Sequence, residues 1–323
     1  MKPGLSRISL LLACALSAPA CAFDCKAVRS PIEKTICADA GLQALDDKIG
    51  KAYGALRAMG DAGARAALAG SQRAWLVTRD GCLKEEKVKA CLAGLMTRRL
   101  TYLTGRPEAG PGAAGHLVPL IRWRQAPSKA EQRIEAFVFA SPATAGEKLF
   151  NELVRGVIDE WVADMSGQPQ RETTLEVMAS LPYASARFIS LNLDSYSYAA
   201  GAPHPNRNVI NINVDLARGR ALAFGDLFDA AATPEVVSLC RRQVAPEEME
   251  RAMRAQEPDP LKEFDVLLGA FLPDLGAWSF TADHVRVHFM HRPLSGYLDG
   301  VYGCDLPYAA LRPLARPGAW VID

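Results

Sequence analysis

The sequence predicts an α+β protein, in which a small all-α domain stapled by disulfides precedes an α+β domain with an antiparallel sheet. Three observations predict this class. Apolar residues recur every three or four positions before residue 104, whereas two segments near residue 200 alternate apolar and polar side chains. The cysteines beyond the leader divide into four before residue 92 and two after residue 239, which assigns disulfides to both domains.

The first 22 residues predict a secretory signal peptide. Lys2 and Arg7 precede a short apolar run, and small residues follow it up to Ala22. The run is too short to span a bilayer, and no later segment supplies the roughly 18 apolar residues that a spanning helix needs. We therefore expect a periplasmic or secreted protein that does not span the membrane, with lipid attachment at Cys21 as the alternative.

Six cysteines remain after removal of the leader, and an even number in an oxidising compartment predicts three disulfides. They are Cys25, Cys37, Cys82, Cys91, Cys240 and Cys304. We expect one bridge between Cys240 and Cys304 and two among the other four cysteines. Those four cysteines can pair in three ways. We prefer bridges that join Cys25 and Cys37 to Cys82 and Cys91. No closely spaced C-x-x-C pair occurs, so we predict no metal site.

Residues 23–104 predict three helices, each with one apolar face. The segment LQALDDKIGKAYGALRAMG carries the first, a second runs toward Arg79, and a third ends near Leu103. Residues 105–124 are rich in Gly, Pro and Ala and predict a linker, followed by a domain over residues 125–323. Residues 23–104 carry 14 basic and 9 acidic side chains. Residues 105–323 carry 21 basic and 27 acidic side chains. We therefore expect two domains of opposite charge that fold separately.

The motifs FDCKAVRSPIEKTIC, LQALDDKIGKAYGAL and SQRAWLVTRDGC occur in this order, before a final cysteine and LTYL. In the order and spacing of its four cysteines this segment resembles the LprI-like lysozyme inhibitor N-terminal domain, over residues 23–104. The resemblance implies recognition of lysozyme outside the cytoplasm. Within it, Gln72, Trp75 and Arg79 have a structural alternative, in which Trp75 fills the core and the other two cap or solvate the helix.

The second domain predicts a helix and then strands. Leu149, Leu153, Val157 and Trp161 lie along one helical face. The segments RFISLNLDSYSY and NVININVDLARGRALAF alternate, so each predicts a strand with one buried and one solvated face, and HVRVHFMHR predicts a further strand. Between the first two segments, YAAGAPHPNRN predicts a turn in which a glycine permits a positive φ and two prolines stiffen the path.

The turn's order of glycine, histidine, proline and asparagine resembles a signature of the C-terminal domain of RsiV-type proteins. These are membrane anti-sigma factors whose exterior domain binds lysozyme. The resemblance covers about residues 131–314 and continues in SGYLDGVYGCDLPYAAL. The sequence lacks the transmembrane helix and the sigma-binding segment of that family, so only recognition outside the cytoplasm carries over.

Catalytic patterns are weak in this chain. The sequence has no nucleophile elbow, no H-E-x-x-H and no glycine-rich phosphate loop. Two histidine sets are the candidates for catalysis or metal binding: His204 with Asp194 or Asp215, and His284 with His288 and His291. Arg286 shares a strand face with His284 and His288, and its charge discourages a metal ion there. We therefore predict that the protein is not an enzyme and that it binds no cofactor.

Aromatic residues near the predicted loops favour a binding function instead, because tyrosine offers large contact area at low entropic cost. The candidate binding residues are Tyr196, Tyr198, His204, Asn206, Tyr297 and Tyr302. The tyrosines can equally belong to the core or rim of the sheet. The expected partner is a cationic lysozyme-type muramidase, attracted by the acidic second domain, and we expect no nucleic-acid partner.

Two alternative functions remain open. One is an envelope structural or adaptor protein that binds another protein or peptidoglycan, and the other is an undetected cell-wall hydrolase.

Overall fold

The computed structural model describes residues 25–28, 30–125, 131–166, 172–243, 268–270, 272–290, 301–319 and 322. The predicted α+β class is confirmed, since a helical unit precedes a six-stranded sheet and a smaller three-stranded sheet follows. The predicted signal peptide and Cys21 lie outside the described residues. Within the described ranges, no helix is both long and apolar enough to cross a membrane.

The helices and strands follow in chain order. The α-helices are α1 (Pro31–Cys37), α2 (Ala40–Met59), α3 (Ala62–Asp80), α4 (Val88–Thr104), α5 (Ala145–Ser166), α6 (Phe224–Leu227), α7 (Thr233–Arg241) and α8 (Tyr308–Leu311). The strands are β1 (Leu117–Gln125), β2 (Glu131–Phe139), β3 (Thr173–Ala184), β4 (Phe188–Ala199), β5 (Asn206–Asp215), β6 (Arg220–Ala221), β7 (Trp278–Phe280), β8 (His284–Met290) and β9 (Val301–Pro307).

Side-chain caps start the first three helices of the N-terminal unit, whereas α4 has none. Ser30 and Glu33 form a capping box at α1, in which the Ser30 hydroxyl accepts from the Glu33 N–H at 3.2 Å. Asp39 caps α2, and Asp61 caps α3 by accepting from a backbone N–H at 2.8 Å. The three helices predicted from sequence are therefore confirmed as α2, α3 and α4. The short helix α1 is an addition that the sequence analysis missed.

The disulfides confirm one predicted pairing and correct another. Cys240–Cys304 joins α7 to β9, as expected. The N-terminal bridges are Cys25–Cys37 and Cys82–Cys91, so the preferred pairing between the two cysteine pairs was wrong. Each bridge closes a short local loop, with separations of 12 and 9 residues. The helices are instead held together by buried apolar side chains where α2 packs against α4.

The six-stranded sheet has the order β1-β2-β3-β4-β5-β6. Adjacent strands in this sheet are antiparallel, except that β2 and β3 are parallel. A parallel pair needs a crossover connection, and α5 supplies it between β2 and β3. The helix predicted along Leu149, Leu153, Val157 and Trp161 is confirmed as α5, although these four residues are only partly buried. The fully buried row is one position further on, at Phe150, Val154 and Ile158.

The predicted linker extends too far toward the C-terminus. Residues 117–124, assigned to it from composition, belong to β1, which pairs with β2 along its whole length. Pro119 is compatible with this assignment because β1 is an edge strand. The connection between the helical unit and the sheet is therefore only residues 105–116.

The two predicted strands near residue 200 are confirmed as β4 and β5, but their polar face is not uniformly solvated. Asn211 and Asn213 are buried beneath a 3₁₀ turn, Leu275–Ala277, that precedes β7. The Asn213 side-chain amide donates to the carbonyl oxygens of Leu275 and Trp278, each at 2.8 Å. The polar alternation therefore marks a buried contact with the second sheet, in which the side-chain N–H groups of Asn211 and Asn213 donate to backbone carbonyls.

Two buried apolar clusters hold the chain together. The first runs without interruption from the helical unit into the six-stranded sheet and α5. The second is built from α6, α7, α8 and the sheet β7-β8-β9, and includes Trp278 and Phe280. The helical unit and the larger sheet thus share one core, which gives a physical reason to expect them to unfold together rather than separately.

Candidate functional site

The six-stranded sheet has one face covered by α5 and an opposite face whose two ends are covered by different units. Helices α3 and α4 pack over β1 at one end, and Arg99 and Tyr102 of α4 also contact β2 there. The turn Leu275–Ala277 and β7 pack over β4 and β5 at the other. Side chains of β3 and β4 lie between these covers, and we call this region the open face. Its residues are Glu176, Met178, Ser180, Asn192, Asp194, Tyr196 and Tyr198.

Arg99 on α4 joins the helical unit to the sheet. Its guanidinium donates to the Glu135 carboxylate on β2 at 3.2 Å, to the Ser71 hydroxyl at 2.9 Å and to the Gln72 side-chain oxygen at 3.0 Å. The side chain is 1% exposed, and its burial lowers the pKa of the guanidinium while Glu135 opposes that shift. A buried charge of this kind is stable only when paired, so Glu135 and Arg99 depend on each other.

Trp75 on α3 lies beside this ion pair. The guanidinium carbons of Arg99 and Arg79 both lie 5.7 Å from its ring centre, within cation–π range. Arg79 is itself buried and pairs with Asp80 at 2.7 Å. The structural alternative for Gln72, Trp75 and Arg79 is therefore correct in part. Trp75 packs against the core, but Gln72 accepts from Arg99 and Arg79 is buried, so neither simply caps or solvates the helix.

A groove of about 330 Å³ runs along the boundary between the helical unit and the open face. We call it the junction groove. It is lined by Trp75, Thr78, Leu95, Arg98, Arg99, Tyr102, Arg133, Glu135, Met178, Ala179, Ser180, Asn192 and Asp194. Segments more than 100 residues apart in sequence thus meet in one cleft, with apolar walls and charged side chains.

Most charges at the junction groove are paired. Arg133 donates to Glu176 at 2.8 Å, and Arg207 makes a two-point contact with Asp194 at 3.0 and 2.6 Å. Burial raises the pKa of the Tyr102 hydroxyl, so it stays protonated and donates to a backbone carbonyl. The groove therefore offers packing area and a mixed-charge rim for non-covalent contact with a partner.

The open face also exposes large side chains. Met178 is 49% exposed, Tyr196 40% and Tyr198 37%. Tyr196 pairs with Glu176 and Tyr198 with Thr174 across the β3–β4 ladder, so both rings stand on the same face as Met178. We call these three side chains the tyrosine strip. Methionine and tyrosine are enriched at protein interfaces, and this strip continues the junction groove along the sheet.

The remaining predicted binding residues do not all join the strip. The stretch between β4 and β5 is a turn, as predicted, with Gly201 at φ 77°. His204 lies in this turn, and its Nδ1 is 3.2 Å from the Pro205 carbonyl oxygen. Asn206 pairs with Ser197 and therefore lies on the α5 side of the sheet, away from Tyr196. Tyr297 lies outside the described residues, and Tyr302 is described only as a backbone position of β9.

Several members of the two candidate histidine sets make other contacts. Asp194 accepts from Arg207, and Asp215 accepts from the Arg218 backbone and side chain. His284 contacts Asp283 at 2.7 Å, and Arg286 pairs with Asp305. His291 lies outside the described residues. Where side chains are described, no group of three His, Cys, Asp or Glu residues is placed to hold a metal ion.

The sequence analysis missed the residues that build the junction groove. Arg99, Arg133 and Glu135 each occur in segments that look like ordinary amphipathic helix or strand. The one available signal was an arginine inside an apolar helical stretch, because a charge at a core position requires a partner.

Comparison with known proteins gives a result for the helical unit. Residues 24–103 match the family model described as lysozyme inhibitor LprI. Both N-terminal disulfides lie within the matched residues. The predicted resemblance of this unit is therefore confirmed at the level of the family model. Among curated proteins, none matches the sequence.

Two solved structures are similar to this chain, and both are DUF3298 family proteins. The first, from Pseudomonas aeruginosa PAO1, is 14% identical with a TM-score of 0.41, covering 65% of this chain and 99% of that one. The second, from Bacteroides fragilis NCTC 9343, is 11% identical with a TM-score of 0.41, covering 63% and 94%.

Proposed function

We propose that this protein is exported and that it binds and inhibits a lysozyme-type muramidase. The observation that carries the proposal is the match of residues 24–103 to the lysozyme inhibitor family model. Its four cysteines form two disulfides, which suits an oxidising compartment outside the cytoplasm. The resemblance of residues 131–314 to the lysozyme-binding domain of RsiV-type proteins supports the same partner.

The contact surface in this proposal is the tyrosine strip together with the junction groove. Both adjoin the family-matched helical unit, because α3 and α4 form one wall of the groove. Met178, Tyr196 and Tyr198 expose apolar area that the described fold does not cover. Large exposed side chains beside a cleft are typical centres of protein interfaces. A muramidase seated there would contact both parts of the chain at once.

Charge supports the approach of such a partner. Beyond residue 104 the chain carries 27 acidic against 21 basic side chains. A net negative charge attracts a cationic protein at long range, and this attraction acts mainly on the association rate. Raising the salt concentration should therefore slow association more than it speeds dissociation.

The proposal is tested with the full mature chain, several lysozyme types and a cell-wall turbidity assay. We expect calorimetric heat and inhibition of lysis. Replacing both tyrosines of the strip, Tyr196→Ala with Tyr198→Ala, should weaken binding about tenfold or more, since interface aromatics commonly contribute above 1 kcal/mol each. Glu152→Gln, on the exposed side of α5, is the matched control and should leave binding unchanged.

Two results contradict the proposal. Absence of heat and of inhibition with every lysozyme at about 100 μM, where a specific protein contact is normally populated, favours the adaptor function. Release of cell-wall fragments by the protein alone favours a hydrolase. If the double tyrosine variant still inhibits fully, the protein is a muramidase inhibitor whose contact surface does not include the tyrosine strip.

A further inference from the structure

A second cavity lies on the opposite face of the sheet. It is bounded by the last turns of α5, the end of β4 and the start of β5. Its volume is about 270 Å³. We call it the α5 pocket, and none of the residues of the tyrosine strip lines it. It is lined by Trp161, Asp164, Leu175, Ser195, Ser197, Asn206, Arg207 and Asn208.

Strand register explains why small polar side chains gather in the α5 pocket. Ser195 is paired with Asn208, and Ser197 with Asn206, across the β4–β5 ladder. Paired residues point to the same face of a sheet, and the two pairs are separated by one residue of opposite orientation. The result is two hydroxyl groups and two amides on one side of two neighbouring strands.

These groups keep unused hydrogen-bonding capacity. Within the described ranges, the side-chain amides of Asn206 and Asn208 make no hydrogen bond, and neither does the Ser197 hydroxyl. Ser195 donates to the Asn208 carbonyl oxygen at 3.3 Å. Each amide offers two donors and one acceptor, and a hydroxyl offers both roles. A ligand matched to this set must itself donate and accept at closely spaced positions.

The charge of the α5 pocket disfavours an anionic ligand. Arg207 lines the pocket, but it pairs with Tyr196, so its guanidinium lies on the open face, where Asp194 holds it in a two-point contact. Asp164 is exposed and contributes a carboxylate. Among the described lining residues, no unpaired cation offsets this negative charge for a phosphate or an acidic peptide. A neutral, hydroxyl-rich ligand meets no such cost.

The remaining wall of the α5 pocket is apolar and aromatic. Trp161 is only partly buried, and Leu175 is a buried residue of β3. An indole ring offers a flat apolar surface for the C–H face of a sugar ring, while the polar edge of the sugar meets the asparagines. Ligand sites commonly measure about 300–1,000 Å³, so this smaller cavity suits one ring of a longer chain.

We infer that the α5 pocket binds a neutral saccharide, specifically one N-acetylated ring of a glycan chain. An acetamido group presents an N–H, a carbonyl and a methyl group, which the asparagine amides and the Trp161 wall complement. This inference rests on the pocket alone and does not require that the protein bind a muramidase.

The probe for this site is the N-acetylglucosamine trimer, titrated into the full mature chain and followed by NMR or calorimetry. We expect saturable binding with a Kd near or below about 1 mM. Cellotriose, which lacks the acetamido group, should bind at least about tenfold more weakly, a difference of about 1.4 kcal/mol. A peptide with the composition of a cell-wall stem serves as the comparison for a non-sugar ligand.

Two variants localise the binding. Asn208→Ala removes an amide, and Ser197→Gln fills the cavity from a partly exposed position that tolerates a larger side chain. Each should weaken trimer binding about tenfold, whereas Arg155→Gln on the exposed side of α5 should not. Circular-dichroism melting checks that each variant folds, and if Asn208→Ala does not fold, Ser197→Gln decides.

Three outcomes overturn the inference. No chemical-shift change at about 10 mM trimer would exclude even weak saccharide binding. Trimer binding that a folded Ser197→Gln leaves unchanged would place the saccharide elsewhere. Preference for the stem peptide over the trimer would assign the pocket to peptides instead.

Discussion

Replacing Arg99 with methionine should destabilise the folded protein by about 3–5 kcal/mol, the usual cost of removing one partner from a buried ion pair. Glu135 would keep its charge with a side chain only 13% exposed. Ser71 and Gln72 would each lose the donor that satisfies them. Methionine recovers some apolar contact with Tyr102, but this gain is smaller than the cost of an unpaired carboxylate.

Thermal and urea unfolding of the protein measure this effect. A loss of this size should lower Tm by roughly 5–8 °C for a chain of this length. The double variant Arg99→Met with Glu135→Leu should recover at least about 2 kcal/mol, because it removes both charges together. Arg98→Met, at the exposed neighbouring position, is the matched control. A change below about 1 kcal/mol for Arg99→Met, or no recovery in the double variant, would refute the argument.

Three further predictions concern stability. Replacing Cys240 and Cys304 with serine opens a loop of 64 residues and should cost about 4 kcal/mol in denaturant unfolding, whereas unchanged stability would contradict a constraining role. Burial lowers the pKa of His288 to about 4 from an ordinary value near 6.5. Its neutral form is therefore favoured in the fold, and its contribution to stability is complete above pH 6.5 and falls as the pH drops toward 4. The slope of Tm against pH should be shallower in His288→Gln across that interval, and an identical slope would exclude His288 as its source. Gly70→Ala places a methyl group 2.4 Å from the Trp123 ring, so it should separate α3 from β1 and cost about 1–3 kcal/mol, with Gly94→Ala on the open side of α4 as the control.

Those parts of the fold that depend on local pattern were predictable from sequence. The helices α2 to α5 follow from apolar spacing, and β4 and β5 follow from strict alternation. Strand β1 was missed because it follows a glycine-rich segment and contains Pro119, and those features are also typical of a linker. The pairing of the N-terminal cysteines was wrong because cysteine spacing alone does not determine connectivity.

The candidate site was predictable only where it depends on alternation. Tyr196 and Tyr198 have the same parity as Asp194, and the structure puts all three on the open face of β4, whereas the sequence left the tyrosines open between binding residues and the core or rim of the sheet. The junction groove required the packing of α3 and α4 on β2, which depends on the pairing of Arg99 with Glu135 across 36 residues. No local pattern encodes a partnership over that distance, and for this reason the groove emerged only from the structure.

Strand β4 serves two different surfaces through the alternation of its side chains. Tyr196 and Tyr198 face the proposed protein partner, while Ser195 and Ser197 face the α5 pocket. A shift of one residue in strand register would exchange these two sets, so the bulge between Ser180 and Tyr183 and the ladder with β5 must fix the register tightly. The two proposed activities should consequently be separable by substitution at alternate positions of one strand. Ser197→Gln should weaken saccharide binding alone, and the paired tyrosine substitutions should weaken muramidase binding alone. If either change weakened both activities equally in a folded protein, the two faces would be coupled and the assignment of one ligand to each would fail.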